Sequence, residues 1–209
     1  METWVEELPK EKFFSRVNTT ECLVTISMLV SNRIDTVEKC FESFRPLLEQ
    51  IPSEFIAVDT VGDENSDGSI ADKIVHFEWC DDFAKARNAG LKEARGKWLI
   101  YLDDDEWFDD AGPLIDFFSK PELYENYDRV SMMEHSYNSA TQIDYESSGF
   151  SRITVLTPEA KFVNPVHELL KGIVYRNEYD LKGTFVHHVG YIGKLSDKKT
   201  DRNRKIMDA

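Results

Sequence analysis

Gly96-Lys97-Trp98-Leu99-Ile100-Tyr101-Leu102-Asp103-Asp104-Asp105-Glu106 is the stretch of this 209-residue chain whose reading decides the fold. Residues 98–102 are apolar enough to be a buried strand, and the run ends abruptly in four consecutive acids. A strand that delivers carboxylates to its own end points to the carboxyl edge of a parallel sheet, where open α/β folds keep their ligand crevices. If the extended geometry persists, Asp103 and Asp105 face the same side. Carboxylate oxygens are hard ligands suited to Mg²⁺ or Mn²⁺. Such ions take one or two protein carboxylates and complete their shell with water and phosphate oxygens. An acidic solvated loop after a strand would show the same letters, so the neighbouring segments have to arbitrate.

Upstream, strand and helix signals alternate. Residues 1–21 are charged with scattered aromatics (Trp4, Phe13, Phe14), which predicts a helix lying on the domain. Residues 23–30 read as a buried strand. Asp35, with Glu38 three residues on, opens a helix in the manner of a capping box. Its Val37, Cys40, Phe41, Phe44, Leu47 and Leu48 recur at helical spacing, and Pro46 is expected to kink or end it. Residues 55–58 form a second strand running into Asp59, residues 70–72 a short helix, and residues 74–77 a third strand. Asp81 or Asp82 caps a helix carrying Phe83, Ala86, Ala89 and Leu91 that ends near Gly96. This order predicts a doubly wound α/β domain.

Downstream, residues 130–135, 150–156, 173–175 and 184–189 read as strands with short polar connections, hence a mixed extension of the sheet. Residues 167–170 are expected in a turn or short helix, and the charged tail 196–209 as a helix. The chain thus divides into an N-terminal segment (1–22), a first half (23–125), a second half of the same domain (126–195) and the tail (196–209).

Composition narrows the partners. A net charge of −14 argues against nucleic acid or anionic lipid as a nonspecific partner, because both need a basic surface. It leaves room for a small anionic ligand held by a metal and local cations. No uncharged apolar run reaches spanning length and no basic, apolar leader opens at Met1, so the expectation is a cytoplasmic protein. Cys22, Cys40 and Cys80 are far apart and odd in number. They fit a reducing compartment, show no zinc spacing, and are expected to be small buried hydrophobes.

A second segment favours the ligand reading of the acids. In Asp81-Asp82-Phe83-Ala84-Lys85-Ala86-Arg87-Asn88-Ala89-Gly90, Lys85 and Arg87 lie in the first turns of a helix whose amide end faces the same sheet edge. A positive helix end beside a guanidinium suits a diphosphate.

The order Thr25-Ile26-Ser27-Met28-Leu29-Val30, Val58-Asp59-Thr60, Ser66-Asp67-Gly68-Ser69, Asp81 to Asn88, and Leu102-Asp103-Asp104-Asp105-Glu106 resembles the family 2 glycosyltransferases. The similarity continues in Arg152-Ile153, Val166-His167-Glu168 and His188-Val189-Gly190-Tyr191. It is strongest to the bacterial branch whose acidic motif usually reads Leu-Asp-Ala-Asp-Glu. The resemblance implies a GT-A fold: a Rossmann-like, doubly wound, mostly parallel sheet with a mixed acceptor-side extension. It implies an inverting transfer of a sugar from a nucleotide-sugar, a UDP-sugar first, with Mn²⁺ or Mg²⁺ as cofactor. The acceptor would be a saccharide, lipid or peptide.

Carried over by residue, Asp59 and Asp67 would lie beside the base and ribose, and Arg87 would help bind the nucleotide. Asp103 would approach the ribose or the metal, and Asp105 would ligate the metal through the donor diphosphate. Asp104 stands where the motif usually has Ala, so either neighbouring carboxylate is a candidate for the ion and the donor. His188 would return towards the metal or diphosphate. Glu168 is the candidate general base, ahead of Asp104 and Glu106, with His167 orienting it. The segment 59–69 is longer than the family's usual loop, and Ser31-Asn32-Arg33 replaces its Lys-Asn-Glu.

Other chemistries fit less well. Asp63 to Gly68 matches the start of a calcium loop, but its twelfth position is Ile74 where a bidentate Glu is needed. A haloacid-dehalogenase phosphohydrolase carries Asp-x-Asp on its first strand, not its fourth. A sugar-nucleotide-binding module without turnover is the remaining alternative; donor hydrolysis with Mn²⁺ separates it from an enzyme.

Overall fold

The computed structural model describes residues 21–31, 34–61, 71–139, 142–189 and 202–207. An eight-stranded sheet forms its centre, in the order β3 (Lys73–His76), β2 (Ser53–Asp59), β1 (Val24–Val30), β4 (Trp98–Asp103), β7 (Gln142–Val155), β6 (Arg129–Ser139), β10 (Glu178–His188), β5 (Glu106–Phe108). β1 (Val24–Val30) is buried at every residue and pairs in parallel with β2 (Ser53–Asp59) on one side and β4 (Trp98–Asp103) on the other. β3 (Lys73–His76) extends the parallel part beyond β2. Strand order therefore reverses at β1, and a crevice opens beyond the carboxyl ends of β1 and β4. Gly96 is required just before β4: a Cβ there would sit 2.4 Å from the Thr25 amide nitrogen, so only glycine lets the chain pass this close to β1.

α1 (Ile34–Gln50) covers one face of the sheet. Val37, Cys40, Phe41, Phe44, Leu47 and Leu48 are all buried in the main core, as their spacing predicts. Pro46 does not end the helix, which continues to Gln50. The buried Leu47, Leu48 and Ile51 beyond it keep that last turn on the sheet, and their packing offsets the missing amide. On the other face, α2 (Phe83–Leu91) is capped by Asp82, whose Oδ1 accepts the Lys85 amide at 2.9 Å. It stops at Leu91, short of Gly96.

The second half is the expected mixed extension. β7 (Gln142–Val155) runs antiparallel to both β4 and β6 (Arg129–Ser139). β10 (Glu178–His188) pairs in parallel with β6 and antiparallel with β5 (Glu106–Phe108). Between them lie α3 (Gly112–Phe118), α4 (Pro121–Tyr124) and a separate ribbon of β8 (Lys161–Val163) and β9 (Leu169–Lys171). Residues 173–175 are not a strand; of the short helix expected over 70–72, residues 71–72 are not helical and residue 70 lies outside the described residues. Of the tail, residues 202–207 are helical; of the helix expected over residues 1–21, residues 1–20 lie outside the described residues and residue 21 is not helical. Cys40 is buried, but Cys22 is half-buried and Cys80 exposed, so the expectation that all three are core residues holds for one. No helix among the described residues is long and apolar enough to cross a membrane.

Candidate active site

The acid run does not remain extended. β4 ends at Asp103, residues 104–105 turn, and Glu106 starts β5. Glu106 closes this turn on itself, because its Oε2 accepts the Asp103 amide at 2.9 Å. Asp103 and Asp105 consequently meet different partners instead of sharing one strand face.

Each acid meets a counter-group, and Arg152 serves two of them. Asp103 Oδ1 accepts from Arg87 Nη2 at 2.8 Å, and its Oδ2 lies 3.3 Å from Arg152 Nη1. Asp104 Oδ2 accepts both the amide (2.7 Å) and the hydroxyl (2.6 Å) of Ser31, which ties the end of β1 to the end of β4. Asp105, buried in the turn, accepts the Val189 amide on its backbone oxygen at 3.2 Å, and its Oδ1 lies 3.9 Å from His188 Nε2. Glu106 is fully buried and accepts from Arg152 Nη1 at 2.7 Å. Burial pushes the Glu106 carboxyl up to about 7 against the pull of Arg152. Burial pulls the Arg152 guanidinium down, but Glu106 and Asp103 outweigh it and hold it above its ordinary value.

Arg87 joins the two halves of the domain. It is buried under the site, donating from Nη1 to the Leu102 carbonyl (3.2 Å), from Nη2 to Asp103, and from Nε to Glu168 Oε1 (2.5 Å). Burial lowers its pKa, yet Asp103 and Glu168 carry the net shift upward. Its nitrogens serve these oxygens, while Asp103 and Glu168 themselves face the cavity. Lys85 is exposed and pairs with Asp82.

That cavity, of about 420 Å³, lies at the reversal of strand order. Asp103, Asp104 and Asp105 form its floor with Arg152, and Ser31 and Thr60 stand at the ends of β1 and β2. Trp79 lines it from the segment before α2, Phe83 from the start of α2, Val166, His167 and Glu168 from the β8–β9 loop, and His188, Arg202 and Asn203 from the later chain. His167 adopts φ +54° and Asn164 φ +73°, so the β8–β9 loop that carries Glu168 is bent through left-handed backbone at two non-glycine residues. Such conformations cost roughly 1–3 kcal/mol each and persist where the surroundings hold them. A larger cavity, of about 1050 Å³, opens behind α2 between Asn88 and Leu156, away from the acids.

Asp59 stands at the end of β2, its Oδ1 accepting the Val61 amide (2.9 Å) and its Oδ2 lying 3.2 Å from His76 Nδ1. Its neighbour Thr60 reaches the cavity. Asp67 lies outside the described residues.

The sequence reading gave no role to Arg152, Glu134 or Arg202. Arg152 and Glu134 announce themselves faintly, as single charges inside apolar strands; nothing marks Arg202. Glu134 Oε1 lies 3.2 Å from His188 Nδ1 and accepts from the Ser136 hydroxyl at 2.9 Å. Burial raises the Glu134 carboxyl, but those two bonds win and leave it below its ordinary value. Donation from Nδ1 to that carboxylate would leave Nε2, 3.9 Å from Asp105 Oδ1, as the nitrogen able to ligate a metal.

This donor set fits a hard divalent ion in one arrangement. Asp105 and the Nε2 of His188 supply an oxygen and a nitrogen, and such ions commonly leave further positions to water and phosphate oxygens. Asp103 is committed to two arginines. Among the described residues, no group of three His, Cys, Asp or Glu side chains is assembled as a metal cage.

The fold and site together define an α/β domain whose acid-rich crevice lies at a topological switch point. The family 2 glycosyl transferase model matches residues 25–168, more than half of the chain, and the chain belongs to that family. A TPR repeat-containing protein of Synechococcus elongatus is 28% identical over 155 residues, which cover 70% of this chain and 35% of that protein. The chain thus spans about a third of that curated relative's length. Among solved structures, S. aureus TarS 1-349 in complex with UDP-GlcNAc overlays with a TM-score of 0.45 at 14% identity, covering 59% of this chain and 37% of its own. Mannosyltransferase PcManGT from Pyrobaculum calidifontis, in complex with GDP-Man and Mn²⁺, overlays with a TM-score of 0.46 at 13% identity, covering 68% and 47%.

Proposed function

We propose that this domain is an inverting, metal-dependent glycosyltransferase that moves a sugar from a nucleotide-sugar, UDP-linked first, to a saccharide, lipid or peptide acceptor. One observation carries the reading: Asp105, His188 and Glu168 face a single cavity at the carboxyl ends of β1 and β4, with Glu168 bonded to the buried Arg87 and His188 to Glu134. Asp105 and His188 would hold Mn²⁺ or Mg²⁺, which when bound neutralises charge on the departing diphosphate.

The chain's own residues do the rest. Glu168 takes the proton of the acceptor hydroxyl as its oxygen bonds to the anomeric carbon, while the bond from that carbon to the diphosphate oxygen breaks and its electron pair leaves with the nucleotide. Attack and departure on opposite faces invert the centre. Arg87 Nε donates to Glu168 Oε1 at 2.5 Å, which aims the carboxylate. His167, beside Glu168 on the same bent loop, faces the cavity, and its role in this reading is to orient that carboxylate. Asp103, held between two arginines, presents its remaining surface to the ribose; Asp104 shapes the floor through Ser31, and Asp59 and Asp67 serve the base end.

A panel of nucleotide-sugars screened by thermal shift with Mn²⁺ tests the donor reading, since a ligand of the native state raises its melting point. Release of free nucleoside diphosphate from the donor that binds then distinguishes an enzyme from a binding module. Binding without any release leaves the module; no shift with any donor sinks the reading.

A further inference from the structure

We propose that Asn88 is a positioning residue for Glu168: its side-chain amide takes the place of a third strand on the β8–β9 ribbon and fixes the backbone from which the base projects. The inference rests on the reading of Glu168 as general base given above. Asn88 follows Arg87 on α2, and its side chain bonds far from its own helix. Nδ2 donates to the Phe162 carbonyl and Oδ1 accepts the Phe162 amide, both at 2.9 Å and across 74 positions of the chain.

A strand residue in an antiparallel pair turns its N–H and C=O to the same side, and exchanges both with the residue opposite or neither. Phe162 gives both to Asn88, so the Phe162–Leu170 pair is one without ladder bonds, and the amide caps the outer edge of β8. The ribbon needs such support. It consists of two strands of three residues each, outside the eight-stranded sheet, and a lone pair of strands is marginal in water. The amide also sets register. Phe162 is 2% exposed and its ring meets Tyr101 edge-on at 5.0 Å, whereas its neighbour Lys161 is exposed. A slip of one residue would exchange their faces.

The path from this bond to the base is short. Val163, next to Phe162, pairs with Leu169, next to Glu168. Between them Asn164 and His167 take left-handed backbone, which side chains with a Cβ disfavour and which persists only where the surroundings hold it. α2 holds this segment at three places. The Phe83 amide donates to the Pro165 carbonyl at 2.8 Å, Arg87 Nε donates to Glu168 Oε1, and Asn88 grips Phe162. Arg87 aims the carboxylate; Asn88 sets the chain that carries it.

The test uses the full chain with Mn²⁺ and the nucleotide-sugars of the panel above, read as release of nucleoside diphosphate, with UDP calorimetry beside it. Asn88→Ala is expected to lower kcat about 10-fold or more, while donor KM and UDP affinity stay within about 2-fold. Hydrogen exchange over residues 162–168 is expected to quicken, with that of β1 unchanged. Asn88→Gln, which keeps both amide groups, is expected to recover part of the loss. In a Glu168→Gln background, Asn88→Ala is expected to add nothing to the fall in kcat. Should the alanine variant fail to fold, Asn88→Asp keeps the size and the bond from the Phe162 amide, sets an oxygen against the Phe162 carbonyl, and carries the same test. Unchanged kcat, or a further loss on top of Glu168→Gln, overturns the proposal and leaves the donor site standing. A matching loss of UDP affinity also overturns it, by making Asn88 a support of the whole domain. If the wild-type chain binds no donor, or Glu168→Gln keeps its turnover, the reading of the site falls first and this proposal with it.

Discussion

The two halves of the sheet treat charge in opposite ways. In the parallel half, β1 is buried at every residue and β2 at all but its first, and the site acids are pushed to the strand ends where the apolar runs stop. In the second half, charges sit inside the strands and loops: Glu134 on β6, Arg152 on β7, Glu168 between β8 and β9, and His188 at the end of β10. The first half decides where the carboxylates are. The second decides much of what each one is bonded to, and so how each is aimed. A site of four consecutive acids is stable only because the later half returns Arg152 and His188, with Ser31 and Arg87 from the first, against them.

That division is open to attack at its strongest point first. Glu168→Gln keeps the shape of the second-half loop and removes the proposed base; transfer is expected to fall about 10²–10⁴-fold, measured as sugar transferred or donor hydrolysed. UDP affinity is expected to stay within a few-fold, and retained turnover would move the base to another carboxylate. Arg87→Met comes next, because it unlatches the halves while filling the same space. Breaking a buried ion pair from one side costs about 3–5 kcal/mol, to be read from urea unfolding. A loss below about 1 kcal/mol would show that the Asp103–Arg87–Glu168 bridge contributes little to holding the halves together. Asp105→Asn is smaller in stability but specific in function. The Mn²⁺-supported gain in UDP affinity is expected to drop by more than the roughly 10–100-fold seen for residues that only orient a metal ligand. Equal affinity with and without Mn²⁺ in the wild type would remove the ion from the site.

How much of this the letters reveal follows from the same contrast. β1, β2 and β4 were legible because strands buried on both faces are continuous apolar runs, and α1 because six core residues keep a 3.6-residue period. The acids were legible as a cluster but not as individuals. Alternation along a strand would put Asp103 and Asp105 on one face, whereas the Glu106 carboxylate folds the chain into a turn at Asp104. That bond joins residues three apart and has no periodic signature. Arg87 reads as a cation at a helix start, and only the tertiary fold shows it turned inward to Glu168, 81 positions later. β5, three residues long, and the β8–β9 ribbon are too short to show a period at all. Residues 173–175 look like a strand by composition, but their ladder place is taken by Glu178–His188, which pairs with β6.

The smallest expected effect tests whether the second half also has structure that owes nothing to the site. Asp128 lies just before β6 and is buried away from the cavity. Its carboxylate accepts the amides of Arg176 and Asn177, each at 3.2 Å, and Arg176 Nη2 at 3.2 Å. Its carbonyl accepts the Val155 amide at 2.8 Å, so one residue knots the start of β6, the end of β7 and the approach to β10. Burial pushes the Asp128 carboxyl up, but Arg176 and the two amides outweigh it and leave it below its ordinary value of 3.8. A carboxyl lowered on folding contributes stability that is full above its unfolded pKa of about 3.9 and is lost as pH falls through the folded value. Asp128→Ala is therefore expected to cost about 1–3 kcal/mol between pH 5 and 7, with the gap between variant and wild type closing below about pH 4. UDP affinity at pH 7 is expected to be unchanged. A variant that loses nucleotide affinity while keeping its stability would mean that this knot reaches the cavity, and that the second half has no region independent of the site.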